Sequence, residues 1–78
     1  MKKIIYQNDF AYIYLTKTFY TKQKIQNTIT QYQEFITTTL KETGKYHILK
    51  TTPKTNNYSI KTLTQEFLNY LLNEEYQQ

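Results

Sequence analysis

Apolar and polar positions change period along this chain, and the changes mark its elements. Over residues 10–16, Phe-Ala-Tyr-Ile-Tyr-Leu-Thr, the period is two. Ala11, Ile13 and Leu15 fall on one face, and Tyr12, Tyr14 and Thr16 on the other, which predicts a half-buried strand. Ile4, Ile5 and Tyr6 can add a short strand through Gln7-Asn8-Asp9, so residues 1–9 are either that extra strand or a tail. From residue 22 the period lengthens. Ile25, Ile29, Tyr32 and Ile36 recur at i, i+4, i+7 and i+11, one face of a helix over residues 22–35. Thr21 is the expected N-cap. The opposite face, Gln23, Gln26, Asn27, Thr30 and Glu34, is polar but weakly charged.

Residues 36–41, Ile-Thr-Thr-Thr-Leu-Lys, admit two readings. The helical stripe could run on to Leu40 and stop at Gly44. Three consecutive Thr favour a strand instead, because their branched Cβ crowds a helical turn and suits a pleated surface. The strand reading makes Glu42-Thr43-Gly44-Lys45 a hairpin turn with Gly44 at positive φ. Residues 46–51 are then the return strand, with Tyr46, Ile48 and Lys50 on one face. Residues 53–58 form a loop by composition. Ser59 can cap the helix that follows, and Thr62-Leu63-Thr64-Gln65 offers a second cap.

Residues 60–75 carry the clearest helical pattern. Ile60, Leu63, Phe67, Tyr70 and Leu71 cluster, and Leu68 and Leu72 widen the apolar arc toward roughly 200° at 100° per residue. That exceeds what one sheet covers, so Leu68 and Leu72 pack on the first helix or face a partner. Glu66, Asn69 and Asn73 line the polar side.

The expected fold class is therefore α+β: a three-stranded antiparallel sheet with two helices on one face, in the order β-α-β-β-α, a truncated ferredoxin-like arrangement in one domain, residues 1–78. A right-handed crossover from the first strand over the helix leaves a gap that the third strand fills. The other sheet face would carry Tyr and Thr, and one sheet edge would stay unpaired.

Composition narrows function more by what is missing. The chain has 78 residues with Leu, Ile, Phe and Tyr in abundance and no Val, Cys or Arg. The absence of Cys removes thiol catalysis, disulfides and zinc-thiolate or iron–sulfur sites, and suits a reducing cytoplasm. No apolar run approaches a membrane span, and the start meets Gln7, Asn8 and Asp9 too soon for a secretory signal. Residues 1–61 hold all ten Lys and three acids, whereas residues 62–78 hold Glu66, Glu74 and Glu75 and no base. A basic body attracts phosphates or acidic partners. Without Arg, the main reader of guanine edges, sequence-specific DNA binding is disfavoured. An AT-rich coding bias would also enrich Lys, Asn, Ile and Tyr.

Catalytic constellations do not assemble. His47 is the only imidazole and sits in a predicted strand, with no Cys or second His to share a metal. Ser59 is the sole Ser, and one Gly cannot make a phosphate-cradling loop. Glu74 and Glu75 are neighbours that diverge on a helix and read as a solvated helix end. The expectation is a protein that is not an enzyme and holds no cofactor or metal. Two binding classes remain. A protein or peptide adaptor would use the Tyr-rich sheet face with Tyr12 and Tyr14, the Leu68 and Leu72 arc, or strand addition at an edge. A nucleic-acid binder would stack bases on Tyr and screen phosphates with Lys. It ranks second, lacking Arg and the Gly-flanked aromatics of the common RNA-binding sheets. A homodimeric structural protein is a third class.

The last helix brings in a resemblance. Glu66-Phe67-Leu68-Asn69, followed by apolar positions, resembles the closing E-F-x-N signature of the HxsD-like small proteins, the D component of the His-Xaa-Ser peptide-modification systems. Phe19-Tyr20-Thr21, the helix from Ile25 to Tyr32 and the hairpin from Phe35 to Thr52 are similar to that family's upstream pattern, so the likeness covers roughly residues 11–75. Asn73 and Glu74 stand where many members carry other polar residues, and the basic ending of some members is missing. The resemblance implies an accessory role beside a radical S-adenosylmethionine enzyme, whose cluster and cofactor belong to the enzyme. It points to that maturase or its precursor peptide as partner. Glu66, Leu68, Asn69, Leu72 and Asn73 on the last helix, with Tyr12 and Tyr14 on the sheet, are the expected contact residues. Glu66 and Asn69 have a second reading as side chains that cap the preceding loop or hairpin.

Overall fold

Four strands form where the pattern has period two or runs of branched residues, and two helices form where it has period 3.6. In the computed structural model, which describes residues 2–76 and only the backbone of 74–76, the elements are β1 (Lys2–Gln7), β2 (Phe10–Thr16), α1 (Lys22–Gln31), β3 (Ile36–Glu42), β4 (Tyr46–Pro53) and α2 (Ile60–Tyr76). The sheet is antiparallel throughout, in the order β1-β2-β4-β3. β4 fills the gap between β2 and β3, as the crossover argument requires.

The fold class is α+β, with both helices on one face of an antiparallel sheet, but the strand count is four and not three. Lys2–Gln7 are a full strand, paired from Lys2↔Leu15 to Gln7↔Phe10. The element order is thus β-β-α-β-β-α. The edge of β2 away from β4 is closed by β1, at the position where a ferredoxin-like sheet places its last strand. Asn8 makes the tight β1–β2 turn possible. It adopts φ 51°, in the left-handed region where Asn is among the few side-chain-bearing residues tolerated. Gly44 was expected to do this in the other hairpin, yet its φ is not positive. There the turn is closed instead by Thr43, whose N–H donates to the Tyr46 carbonyl at 2.9 Å and whose Oγ1 accepts from the Tyr46 N–H at 3.1 Å.

α1 is shorter than its stripe. Thr21 caps it, Oγ1 accepting from the Lys24 N–H at 3.3 Å, but the helix ends at Gln31 with Tyr32 as C-cap. The chain then tightens: the Phe35 and Ile36 amides both donate to the Tyr32 carbonyl. Ile36 leaves the helix and opens β3, and the three Thr continue as strand. α2 starts from Ser59, whose Oγ accepts from the Thr62 N–H at 3.2 Å. Thr62 is therefore a residue of the first turn and not a second cap. The side chains of Glu74 and Glu75 lie outside the described residues.

One core lies between helices and sheet. Ile13 and Leu15 of β2, Leu49 of β4 and Ile36 of β3 meet Ile25 of α1 and Leu63, Phe67, Leu68 and Leu71 of α2. Leu68 is 5% exposed, with Ile4 of β1 beside it. The fourth strand widens the sheet, and this is what the broad apolar arc of α2 covers. Leu68 is thus a core residue and not a partner contact, and Leu72 is half-buried against the same core. Full burial of a side chain such as Phe67 or Leu71 contributes roughly 1.5–3 kcal/mol each.

Candidate functional site: the uncovered sheet face

Strand register places every other residue of the sheet on the side away from the helices. Lys3, Tyr14, Ile48 and Lys41 form one row across β1, β2, β4 and β3. Ile5, Tyr12, Lys50 and Thr39 form the next. Phe10 and Gln7 pair at one end of the face, and Tyr46 and Thr16 at the other. The face thus presents six large apolar or aromatic side chains and three lysines, and not one Asp or Glu. The central strands β2 and β4 carry five of the six.

The rings hold one another in place. Phe10 and Tyr12 meet edge to face at 5.5 Å, and Tyr14 and Tyr46 at 6.1 Å. Lys50 Nζ lies 4.6 Å from the centre of the Phe10 ring, so a cation already sits on the aromatic surface. A recess of about 310 Å³ opens between Tyr12, Thr39, Lys41, Ile48 and Lys50. Tyr12, Tyr14 and Ile48 are only half-buried, which leaves apolar surface in water at the centre of the sheet. Such a patch, ringed by like charges, is where a partner gains most on covering it.

The charged groups of the helical side are arranged differently. Glu42, at the end of β3, takes Lys17 Nζ at 3.3 Å and Lys22 Nζ at 3.5 Å. The hydrogen bond from Lys17, then the charges of Lys17 and Lys22, hold its carboxyl below the ordinary value. His47 is buried on the paired position of β4, with Nδ1 3.6 Å from Glu42 Oε1 and no hydrogen-bond partner among the described residues. Among those residues no group of three His, Asp or Glu could hold a metal ion, and no helix is long and apolar enough to cross a membrane.

The structure divides the residues singled out by sequence. Tyr12 and Tyr14 sit together on the uncovered face. Glu66, Asn69 and Asn73 are exposed on α2, but they do not join one site. Asn69 borders a recess with Lys2, Ile4 and Tyr6, while Glu66 borders another with Phe35 and Tyr58. Among the described residues neither the Glu66 nor the Asn69 side chain makes a hydrogen bond, so neither caps the preceding loop or hairpin. It is the Glu66 backbone that is engaged, its carbonyl accepting from the Tyr32 hydroxyl at 3.2 Å. Sequence reasoning put Ile5, Phe10, Lys3 and Lys41 in no site. The signal was present for Lys41 and Phe10 in the period of two, but Lys3 and Ile5 needed the β1–β2 register. No family model, curated protein or solved structure matches the chain.

Proposed function

We propose that the chain is a non-catalytic adaptor that docks, through the uncovered face of its sheet, a peptide-modifying radical S-adenosylmethionine enzyme or the precursor peptide of such an enzyme. The observation that carries a binding role is the face itself: aromatic and aliphatic side chains at the centre, Lys3, Lys41 and Lys50 around them, and no acid. The resemblance of Glu66-Phe67-Leu68-Asn69 and of the upstream elements to HxsD-like proteins supports the choice of partner. An acidic, partly apolar segment is the surface that complements this face. The test is co-expression of the tagged chain with a radical S-adenosylmethionine peptide maturase and its precursor peptide from the same genome. Co-purification that survives in the wild type and is lost in a Tyr14→Ser/Ile48→Ser variant supports the reading. Failure to capture either partner overturns it.

A second reading is favoured by one specific feature, the interleaving of Lys3, Lys41 and Lys50 with Tyr12 and Tyr14 on a four-stranded sheet. Single-stranded nucleic acid stacks on such rings and places phosphates on such cations. Its mark is an affinity for oligonucleotides that falls steeply with salt. A dimer formed through the same face would instead persist on dilution and bind neither.

A further inference from the structure

Beside α2 the molecule carries a second exposed aromatic surface with the opposite electrostatic character. Phe35, at the entry to β3, and Tyr58, in the loop before α2, are 39% and 51% exposed. Their rings stand edge to face at 6.2 Å and 82°. Together with Thr62, Leu63 and Glu66 they enclose an open recess of about 270 Å³. Glu66 is the only charged residue in its lining, and among the described residues no cation pairs with it. Cavities that take whole small molecules generally span about 300–1,000 Å³, so this open recess lies at the low end and has room for a side chain. Two ring surfaces and one unpaired carboxylate are the components that hold a cation: ring faces attract it through their quadrupole, and the carboxylate fixes its charge.

We propose that this recess receives the lysine ammonium or arginine guanidinium of a polypeptide partner, its methylene stem along Phe35, Tyr58 and Leu63 and its charged head toward Glu66. The sheet face has lysines and no acid; this recess has an acid and no base. The two surfaces would therefore select different parts of a partner, and the recess stands whether or not the sheet face docks a maturase.

The test uses the full chain, ¹⁵N-labelled, titrated with three capped peptides of the form acetyl-Gly-Ser-Xaa-Ser-Gly-amide in which Xaa is Lys, Arg or norleucine. The whole chain carries a formal net charge of +4, which opposes non-specific attraction of the cationic peptides. The expected result is that the Lys or Arg peptide shifts the amides of Phe35, Tyr58, Leu63 and Glu66 and binds at least about five-fold more tightly than the norleucine peptide. Glu66→Gln should bring that preference close to one, and Tyr58→Ala should remove binding of all three. Both side chains are solvent-exposed, and an unchanged amide spectrum elsewhere shows that the variants are folded. Equal binding of norleucine, shifts confined to the sheet face, or no shift at millimolar peptide would each overturn the proposal. None of these outcomes bears on capture of the radical enzyme, which is measured separately.

Discussion

The Tyr32 hydroxyl donates a hydrogen bond to the carbonyl oxygen of Glu66 at 3.2 Å, tying the C-cap of α1 to the middle of α2 across 34 residues of sequence. The same ring packs tilted on Phe67 at 5.9 Å and edge to face on Tyr70 at 5.8 Å. The two contributions separate by mutation. Tyr32→Phe removes only the hydrogen bond and should cost about 0.5–1.5 kcal/mol in urea unfolding at pH 7. Tyr32→Ala also removes the ring contacts and should cost clearly more, about 2–4 kcal/mol. Burial, and then the nearby Glu66 charge, raise the Tyr32 phenol above its ordinary 10.0. A raised acid contributes stability that is complete below its unfolded value and fades as pH climbs through its folded one. The gap between wild type and Tyr32→Phe should therefore narrow above pH 10. A gap that is constant up to pH 11 would contradict this.

Glu42 gives the opposite pH dependence. The Lys17 hydrogen bond comes first, followed by the Lys17 and Lys22 charges, and together they lower its carboxyl below the ordinary 4.5. A lowered acid stabilises the fold fully above its unfolded value, and this stabilisation is lost as pH falls through the folded one. Glu42→Gln should lower the melting temperature at pH 7, and the deficit should close as pH is brought from about 5 to about 3. Added salt at pH 7 should shrink it as well, because these pairs are substantially exposed. A deficit unchanged by either treatment would mean that packing, not charge, is what the substitution removes.

How far the chain could be read before its structure depended on how local each cause was. Strand β2 and the helix over residues 60–75 were legible because their periods are long and unbroken. The strand that begins at Ile36 was legible, since three Thr disfavour a helix, but the early end of α1 at Gln31 was not. The end of α1 is set by amides of Phe35 and Ile36 turning back to Tyr32, which no period records. The hairpin turn illustrates the same limit: Gly44 is the obvious candidate for a left-handed residue, yet Asn8 is the one that adopts it, while Thr43 closes the other turn with its side chain. The fourth strand decided most of the rest. Without β1 the arc of Leu68 and Leu72 left packing on the first helix and a partner surface both open, and with it Leu68 is core. The candidate face was half legible. Tyr12 and Tyr14 could be placed by alternation alone, whereas Lys3 and Ile5 reach them only through pairing between strands.

Thr64 is buried to 1% exposure in α2, and its Oγ1 has no hydrogen-bond partner among the described residues. Thr28 of α1 and Thr51 of β4 are equally buried but donate to the Lys24 and Ala11 carbonyls, at 2.9 Å and 3.3 Å. A buried hydroxyl without a partner carries its desolvation cost uncompensated. Val has nearly the same shape, a similar helix propensity and no polar atom. Thr64→Val should therefore stabilise the protein by roughly 1 kcal/mol, whereas Thr28→Val should destabilise it by a similar amount. Thermal unfolding of the two variants, compared side by side, checks the contrast. Equal destabilisation by both would show that Thr64 makes a hydrogen bond after all.

The sheet face makes the sharpest separation between stability and binding. Tyr14 and Ile48 are directly paired on β2 and β4, half-buried, and pointed away from the core. A residue there contributes cross-strand contact of about 0.2–1 kcal/mol, much less than a core side chain. Tyr14→Ser and Ile48→Ser should each lower stability by about 1 kcal/mol or less, while Leu49→Ala, one position along on the opposite face, should cost about 2–5 kcal/mol. Partner capture should show the reverse ranking. Aromatic and aliphatic groups at the centre of a patch carry most of an interface's energy, and charges at its rim mainly set the rate of encounter. Lys3→Gln and Lys41→Gln should therefore slow association and weaken its salt dependence, with dissociation nearly unchanged. Tyr14→Ser should speed dissociation by ten-fold or more, corresponding to about 1.4 kcal/mol. Surface-plasmon measurements at two salt concentrations resolve both rates. If Tyr14→Ser left dissociation untouched while a core variant of equal stability loss abolished capture, the uncovered face would not be the docking surface.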